Sequence, residues 1–417
     1  MKNHRSAKNT VKITKSLTNE EAELLSSIEA NEVITFLQAL IQAKSDHPPG
    51  DCREVIDLVQ KKLRNANVET HIFTRQDHQP NLLASYRAKT ASPVLLFHAH
   101  ADTVPAGVLD GWQYPPFEGV IQDGKVYGRG TGDDKGSVAA QAMALVTLSR
   151  ANIDLHGQLQ IAVVSDEESG GLNGTHWLHQ GGKLRPDALV VGEQTNNHIA
   201  IAERVACGID LTVFGKSAHG AMPWAGENAV LKASGALTWI RKNYFPKLAA
   251  KHHPYLPPPT LNVGKITGGI QWSVVPEHCK IEMDRRLLPG ETRELAMAEL
   301  KETLDIYNQE IEPIEYDLFS TGEVAANINT PPDDPMVTTA SKALHDLVDH
   351  PRPLTGYVQT SDGRWFASDG IPIILFGPGD PALAHSSNEF IEIDQLIEAT
   401  KFYTLLAVRF LNQSSPN

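Results

Sequence analysis

Eleven side chains in this sequence have the types and clustering that metal-assisted chemistry needs. They are His98, His100, Asp102, Asp133, Asp134, Asp166, Glu167, Glu168, Glu193, His385 and Glu389. If they share one cleft, the carboxylates repel one another strongly. A cation would hold them together, and imidazole with carboxylate is a donor set suited to zinc and its neighbours. Two ions roughly 3.5–4 Å apart could share one carboxylate and one water. Such ions depress the pKa of water toward neutrality. Spacing alone leaves His98 and His100 as equal ligand candidates, because residues two apart leave the same face of a strand.

The elements around these residues explain how they could converge. VLLF before HAHAD, QLQIAVV before SDEESGG, ALVV before GEQT and PIILF before GPGD are short continuous apolar runs. Runs of this kind are expected of strands buried on both faces of a mostly parallel sheet. Polar residues follow each run, so they would line the C-terminal rim where open α/β sheets bind ligands. NEEAELLSSIEANEVITFLQALIQAK reads as one amphipathic helix from Asn19, and REVIDLVQKKLRNAN as another. VETHIFTR and NLLASYR read as strands, and GSVAAQAMALVTLSRAN as a helix rich in small residues.

The middle of the chain has a different pattern. GIDLTVFGKSAHGAM alternates like a half-buried strand, a helix follows, then two strands and a long helix. This β-α-β-β-α order predicts a small α+β domain inserted into the larger α/β one. We place it at 207–318, with 1–206 and 319–417 forming the main domain and roughly the first 16 residues a loose tail.

Composition bounds the function. The 417 residues are 41% hydrophobic and 21% charged, as in an ordinary globular protein. A formal net charge of -13 argues against nucleic acid or an anionic membrane as the main partner. No apolar run reaches the ~18 residues of a membrane span. The basic, polar N-terminus lacks the apolar core of a signal peptide. Cys52, Cys207 and Cys279 are far apart and odd in number, which fits a reducing, cytoplasmic setting.

The motifs carry a resemblance. HPPGD at 47–51, HADTVP, YGRGTGDDKG, DEESGG, VGEQT, SAHGAMPWAGENA, ITGGI, VPEHCKIEMDRRLLPG, TSDGRWF, FGPG and HSSNEF at 385–390 occur in one order. In that order they resemble the M20 metallopeptidase family, which includes acetylornithine deacetylase, succinyl-diaminopimelate desuccinylase, aminoacylase-1 and the glutamate carboxypeptidases. The resemblance implies a zinc-exopeptidase-like catalytic domain with an inserted lid and dimerisation domain, hence a homodimer. It selects His100 over His98 and implies two zinc ions, with cobalt or manganese as substitutes. His100, Asp133 and Glu193 would hold one ion. Asp133 would bridge to the other, held by Glu168 and His385. Asp102 would support the other ring nitrogen of His100, and Glu167 would be the general base. The Asp133–Asp134 peptide bond is expected to be cis. His219 would reach a partner's cleft and bind the developing oxyanion. Arg286, with the backbone of Gly377 and Gly379, would hold a substrate carboxylate. The implied substrate is an N-acyl amino acid; a C-terminal peptide bond is the second choice.

Other readings are weaker. Glycines at 128, 130 and 132 do not fit GxGxxG, and HExxH and GxSxG are absent. Asp134 is not expected to be a ligand, and Glu389 could either hydrogen-bond near His385 or lie on the surface. The sequence departs from the family pattern at Gln194, where proline is usual, and at Ser273, where many members have asparagine. The first departure is expected to change loop stiffness, the second a lid contact.

Overall fold

The computed structural model describes residues 16–86, 88–322 and 325–412. The tail expected at 1–16 lies outside them except for Ser16, whose N–H and hydroxyl both donate to Asp346 at 3.0 Å.

The four apolar runs form the middle of an eight-stranded sheet. In spatial order these are Gln158–Val164, Val94–His100, Ala188–Val191 and Ile373–Leu375, and all are mutually parallel. Their side chains are buried on both faces, which is why the runs lack alternation. Gln79–Tyr86 and Glu69–Gln76 extend one edge antiparallel. Ala200–Glu203 and Thr355–Tyr357 extend the other.

Helix Lys135–Arg150 is buried over Lys135–Leu148. Its small residues let it lie between the sheet and the C-terminal helix Ile393–Leu411. Gly136 is one such requirement, since a Cβ there would stand 2.3 Å from the Thr131 carbonyl oxygen. The single helix expected from Asn19 is two, Asn19–Ser26 and Ala30–Gln42. The Ser26 and Ser27 hydroxyls turn back onto the Glu23 and Leu24 carbonyls and compete with continued helix.

The second unit is a four-stranded antiparallel sheet, ordered Thr260–Gly268, His278–Leu287, Val205–Phe214, Tyr316–Thr321. Strand Val205–Phe214 alternates strictly between buried and partly exposed residues. Helices Ala229–Asn243 and Arg293–Glu310 cover the apolar face, giving this unit its own core. The strand Tyr316–Thr321, which the β-α-β-β-α reading lacks, pairs with Val205–Phe214 and closes the unit.

Candidate metal centre

Strand ends bring the sequence-selected residues together at the C-terminal rim of the parallel strands. His100 ends one strand, Glu167 and Glu168 follow a second, and Glu193 follows a third. Asp133 comes from the turn before helix Lys135–Arg150, and its bond to Asp134 is cis. His385 lies in the loop after the fourth strand, with a left-handed φ of 60°.

Two groups of donors result, His100–Asp133–Glu193 and Asp133–Glu168–His385, each with ligand atoms within 4.8 Å of one another. Asp133 belongs to both. Its Oδ1 lies 3.0 Å from His100 Nε2, and its Oδ2 lies 3.3 Å from His385 Nε2. Glu168 Oε2 is 3.1 Å from His385 Nε2, while Glu168 Oε1 is buried with no protein partner. A buried orphan carboxylate oxygen among imidazole and carboxylate donors fits a divalent cation.

The electrostatics agree. Burial, then the nearby Asp133 carboxylate, raises the pKa values of Glu168 and Glu193. Burial and the Asp362 carboxylate raise that of Glu167. Hydrogen bonds that His385 donates to the Asp133 and Glu168 carboxylates push its pKa up to about 10. Burial opposes charge on His100, but Asp102 and Asp133 raise it well above the usual imidazole value.

Glu167 and Glu168 do diverge, though not through extended backbone. They sit in a 3-10 turn, Glu167–Ser169, after a left-handed Asp166. The Asp102 carboxylate accepts both of their amide N–H groups, at 3.2 and 3.1 Å. Asp102 therefore reaches His100 chiefly through its backbone carbonyl, 3.0 Å from Nδ1; its carboxylate is 3.6 Å away. Glu168 turns to His385, and Glu167 turns to Arg364, whose Nη1 is 3.4 Å from its Oε1.

His98 points away from the donors. Its Nε2 is 2.7 Å from Thr175 Oγ1, which in turn donates to Asp362 at 2.5 Å. Asp134 accepts the His100 amide. Glu389 is buried and accepts from Arg129 and from the amides of Gly130, Gly132 and Asp133.

The groups open onto a cleft of about 570 Å³ lined by Asp133, Glu167, Glu193, Arg286, Arg364 and His385 among others. Arg286 reaches it from the smaller unit and donates to Thr360 and Asp284. Gly377 and Gly379 are not brought to it. The Gly377 amide donates to Thr195 Oγ1 in the turn after Glu193, and the Gly379 amide to Gln395 Oε1 on the C-terminal helix. His219 lies on an exposed loop of the smaller unit, away from this cleft lining, with Nδ1 accepting from the Ala221 amide.

Two residues outside the expected ligand set matter here. Arg364 lay in the TSDGRWF motif without a role. Gln194 does more than the loop stiffness expected of it, since its Nε2 donates to Asp133 Oδ2 at 3.3 Å.

The two donor groups define a candidate metal site, and with the family and relatives that follow they mark the protein as a metal-dependent hydrolase of amide bonds. The model of peptidase family M20/M25/M40 matches residues 96–409, and the chain belongs to that family. It is 28% identical over 386 residues to a succinyl-diaminopimelate desuccinylase of Nitrosospira multiformis, covering 90% of this chain and 97% of that one. With the enzyme of the same name from Hydrogenovibrio crunogenus it shares 29% over 392 residues, 91% and 99% of the two chains. Among solved structures, aminopeptidase PepT from Bacillus cereus superimposes with a TM-score of 0.74 at 21% identity, covering 93% of this chain and all of that one. An M20 family metallo-carboxypeptidase from Sulfolobus solfataricus gives 0.74 at 18%, covering 95% and 100%. These structural likenesses concern the fold. Among the described residues no single helix is long and apolar enough to cross a membrane.

Proposed function

We propose that this enzyme removes an acyl group from an N-acyl amino acid, in the manner of an acetylornithine deacetylase or a succinyl-diaminopimelate desuccinylase. The observation that carries the reading is the pair of donor groups sharing Asp133 beside a separately oriented Glu167. The full-length similarity to enzymes named desuccinylases supports it.

His100, Asp133 and Glu193 would hold one zinc ion and Asp133, Glu168 and His385 the second, with cobalt or manganese able to substitute. A metal pair in such a site supplies Lewis acidity to the scissile carbonyl and to water. Asp102 keeps the His100 ring oriented and fixes the turn that carries both glutamates. Glu167 takes a proton from water at its carboxylate and returns it to the departing amine. Arg364 holds that carboxylate in place. Arg286 binds the substrate's α-carboxylate with its planar fork.

The inserted unit acts as lid and dimerisation domain in this reading, spanning about 207–318, and His219 completes the oxyanion site of a second copy. Trp224, five residues after His219, and Ile270 and Trp272, in the loop that bridges to His219 through Val274, are exposed by 80%, 84% and 94% and support an interface there. Three free, buried cysteines support a cytoplasmic setting.

The test is a hydrolysis screen of zinc- and cobalt-loaded protein. It offers N-succinyl-diaminopimelate, N-acetylornithine, N-acetylmethionine and simple dipeptides. Release of succinate or acetate is expected. Cleavage of dipeptides alone would establish the exopeptidase reading instead, and uniform inactivity with two ions bound would overturn both.

A further inference from the structure

Gln194 is fully buried, yet its amide is poorly suited to plain packing. Its Oε1 is buried with no partner, which costs free energy that a hydrocarbon side chain of similar size would avoid. The other end of the amide explains its presence. Nε2 lies 3.3 Å from Asp133 Oδ2 and 3.5 Å from Gln359 Oε1. Both neighbours are acceptors, so the nitrogen must be the atom that faces them. Gln359, at the cleft wall, donates onward from its own Nε2 to the Pro381 carbonyl at 3.4 Å. Pro381 begins the 3-10 turn Pro381–Leu383, and His385 follows two residues after it.

A line of polar contacts thus runs Asp133–Gln194–Gln359–Pro381. It ties the shared carboxylate to the loop that bears His385. The contact is made to Oδ2, the oxygen that faces His385, and not to Oδ1, which faces His100.

We infer that Gln194 and Gln359 are positioning residues for the second metal site, the one formed by Asp133, Glu168 and His385, and that they set its affinity separately from that of the first. The inference rests on the two-metal reading above. Gln194 fixes the direction of the Asp133 Oδ2 lone pair left for a cation. Gln359 couples that direction to the placing of His385.

The test measures stepwise metal binding by calorimetry with Zn2+, and by the visible absorption of Co2+ added one equivalent at a time. It compares wild type, Gln194→Met, Gln359→Met and the double variant. Met keeps the length and approximate volume of Gln but cannot donate. The second-equivalent affinity is expected to fall roughly 10- to 100-fold in Gln194→Met, as when partners of metal ligands are removed. The first-equivalent affinity should stay within about threefold. Gln359→Met should give a smaller loss of the same kind, and the double variant should fall short of the product of the two. Gln359 is at the cleft wall and only half-buried, so its variant remains informative if Gln194→Met does not fold. Unchanged second-site affinity and Co2+ spectrum in both single variants would overturn the inference, as would equal weakening of both sites. A wild type that binds fewer than two ions would instead fail the two-metal reading itself.

Discussion

The Glu389 carboxylate meets the Arg129 guanidinium at 2.6 Å inside the protein, with 1% and 2% of the two side chains exposed. Glu389 also accepts the amides of Gly130, Gly132 and Asp133. One carboxylate therefore pins the turn that presents Asp133 to the segment that presents His385, four residues earlier in the chain.

Removing one partner of such a pair leaves the other charge buried. Glu389→Ala should destabilise the protein by about 3–5 kcal/mol. Glu389→Gln keeps an acceptor for the backbone amides and should cost less. Denaturant titration of both variants checks this order. Equal stability of wild type and Glu389→Ala would show that Arg129 finds another partner.

The central strands were legible because burial on both faces writes continuous apolar runs, and the motifs at their ends named the donors. Periodicity could not see the break at Ser26–Glu29, since side-chain competition for backbone carbonyls leaves the apolar spacing intact. It also missed Tyr316–Thr321, a short strand at the edge of the smaller sheet. Sequence leaves Glu389 open because its partners, the Arg129 guanidinium and three backbone amides, lie more than 250 residues away, and amides carry no sequence signature. Gln194 was visible as a departure, but its contact depends on a turn that only the fold brings against Asp133. His98 and His100 separate for a similar reason: Thr175 and Asp362, distant in sequence, take His98 away from the donors.

Glu167 is the carboxylate without a metal-facing partner, so its loss should affect turnover and not metal content. Glu167→Gln is expected to lower kcat by about 10²–10⁴. Glu167→Asp should also be impaired, since the carboxylate retreats by one methylene. Steady-state kinetics with metal analysis of the same samples decides it. Wild-type turnover of Glu167→Gln with both ions present would remove Glu167 from the proton transfers.

Asp133 is shared by both donor groups, so ligand substitutions should count ions differently. Asp133→Ala should weaken both ions, whereas Glu193→Ala and His385→Ala should each weaken one. Chelation should lower the stability of wild type, by about 4 kcal/mol per site when the free metal had been at 1,000 times its dissociation constant. Elemental analysis after dialysis, with thermal melts before and after metal is restored, reads both effects. Retention of two ions by Asp133→Ala would rule out the shared carboxylate.

Glu203 gives the protein a pH dependence separate from the metal donors. Its Oε2 accepts the Ser361 amide and hydroxyl at 3.1 and 2.7 Å, while Oε1 is buried without a partner. Burial pushes its pKa from 4.5 up to about 8, against smaller lowering by Ser361 and Arg364. In the unfolded chain this acid ionises near 4.5; in the folded chain it stays neutral until about 8. Its contribution to stability is therefore fully present below 4.5 and is lost as pH rises to about 8. The loss is at most about 1.4 kcal/mol per pH unit. Glu203→Gln keeps the oxygen that Ser361 needs and cannot ionise. It should match wild type near pH 4.5 and exceed it in stability at pH 8 to 9, with metal held saturating. Denaturant titrations across that range measure the difference. Parallel stability curves for the two proteins would show that Glu203 is ionised in the native state throughout, with Arg364 compensating its charge.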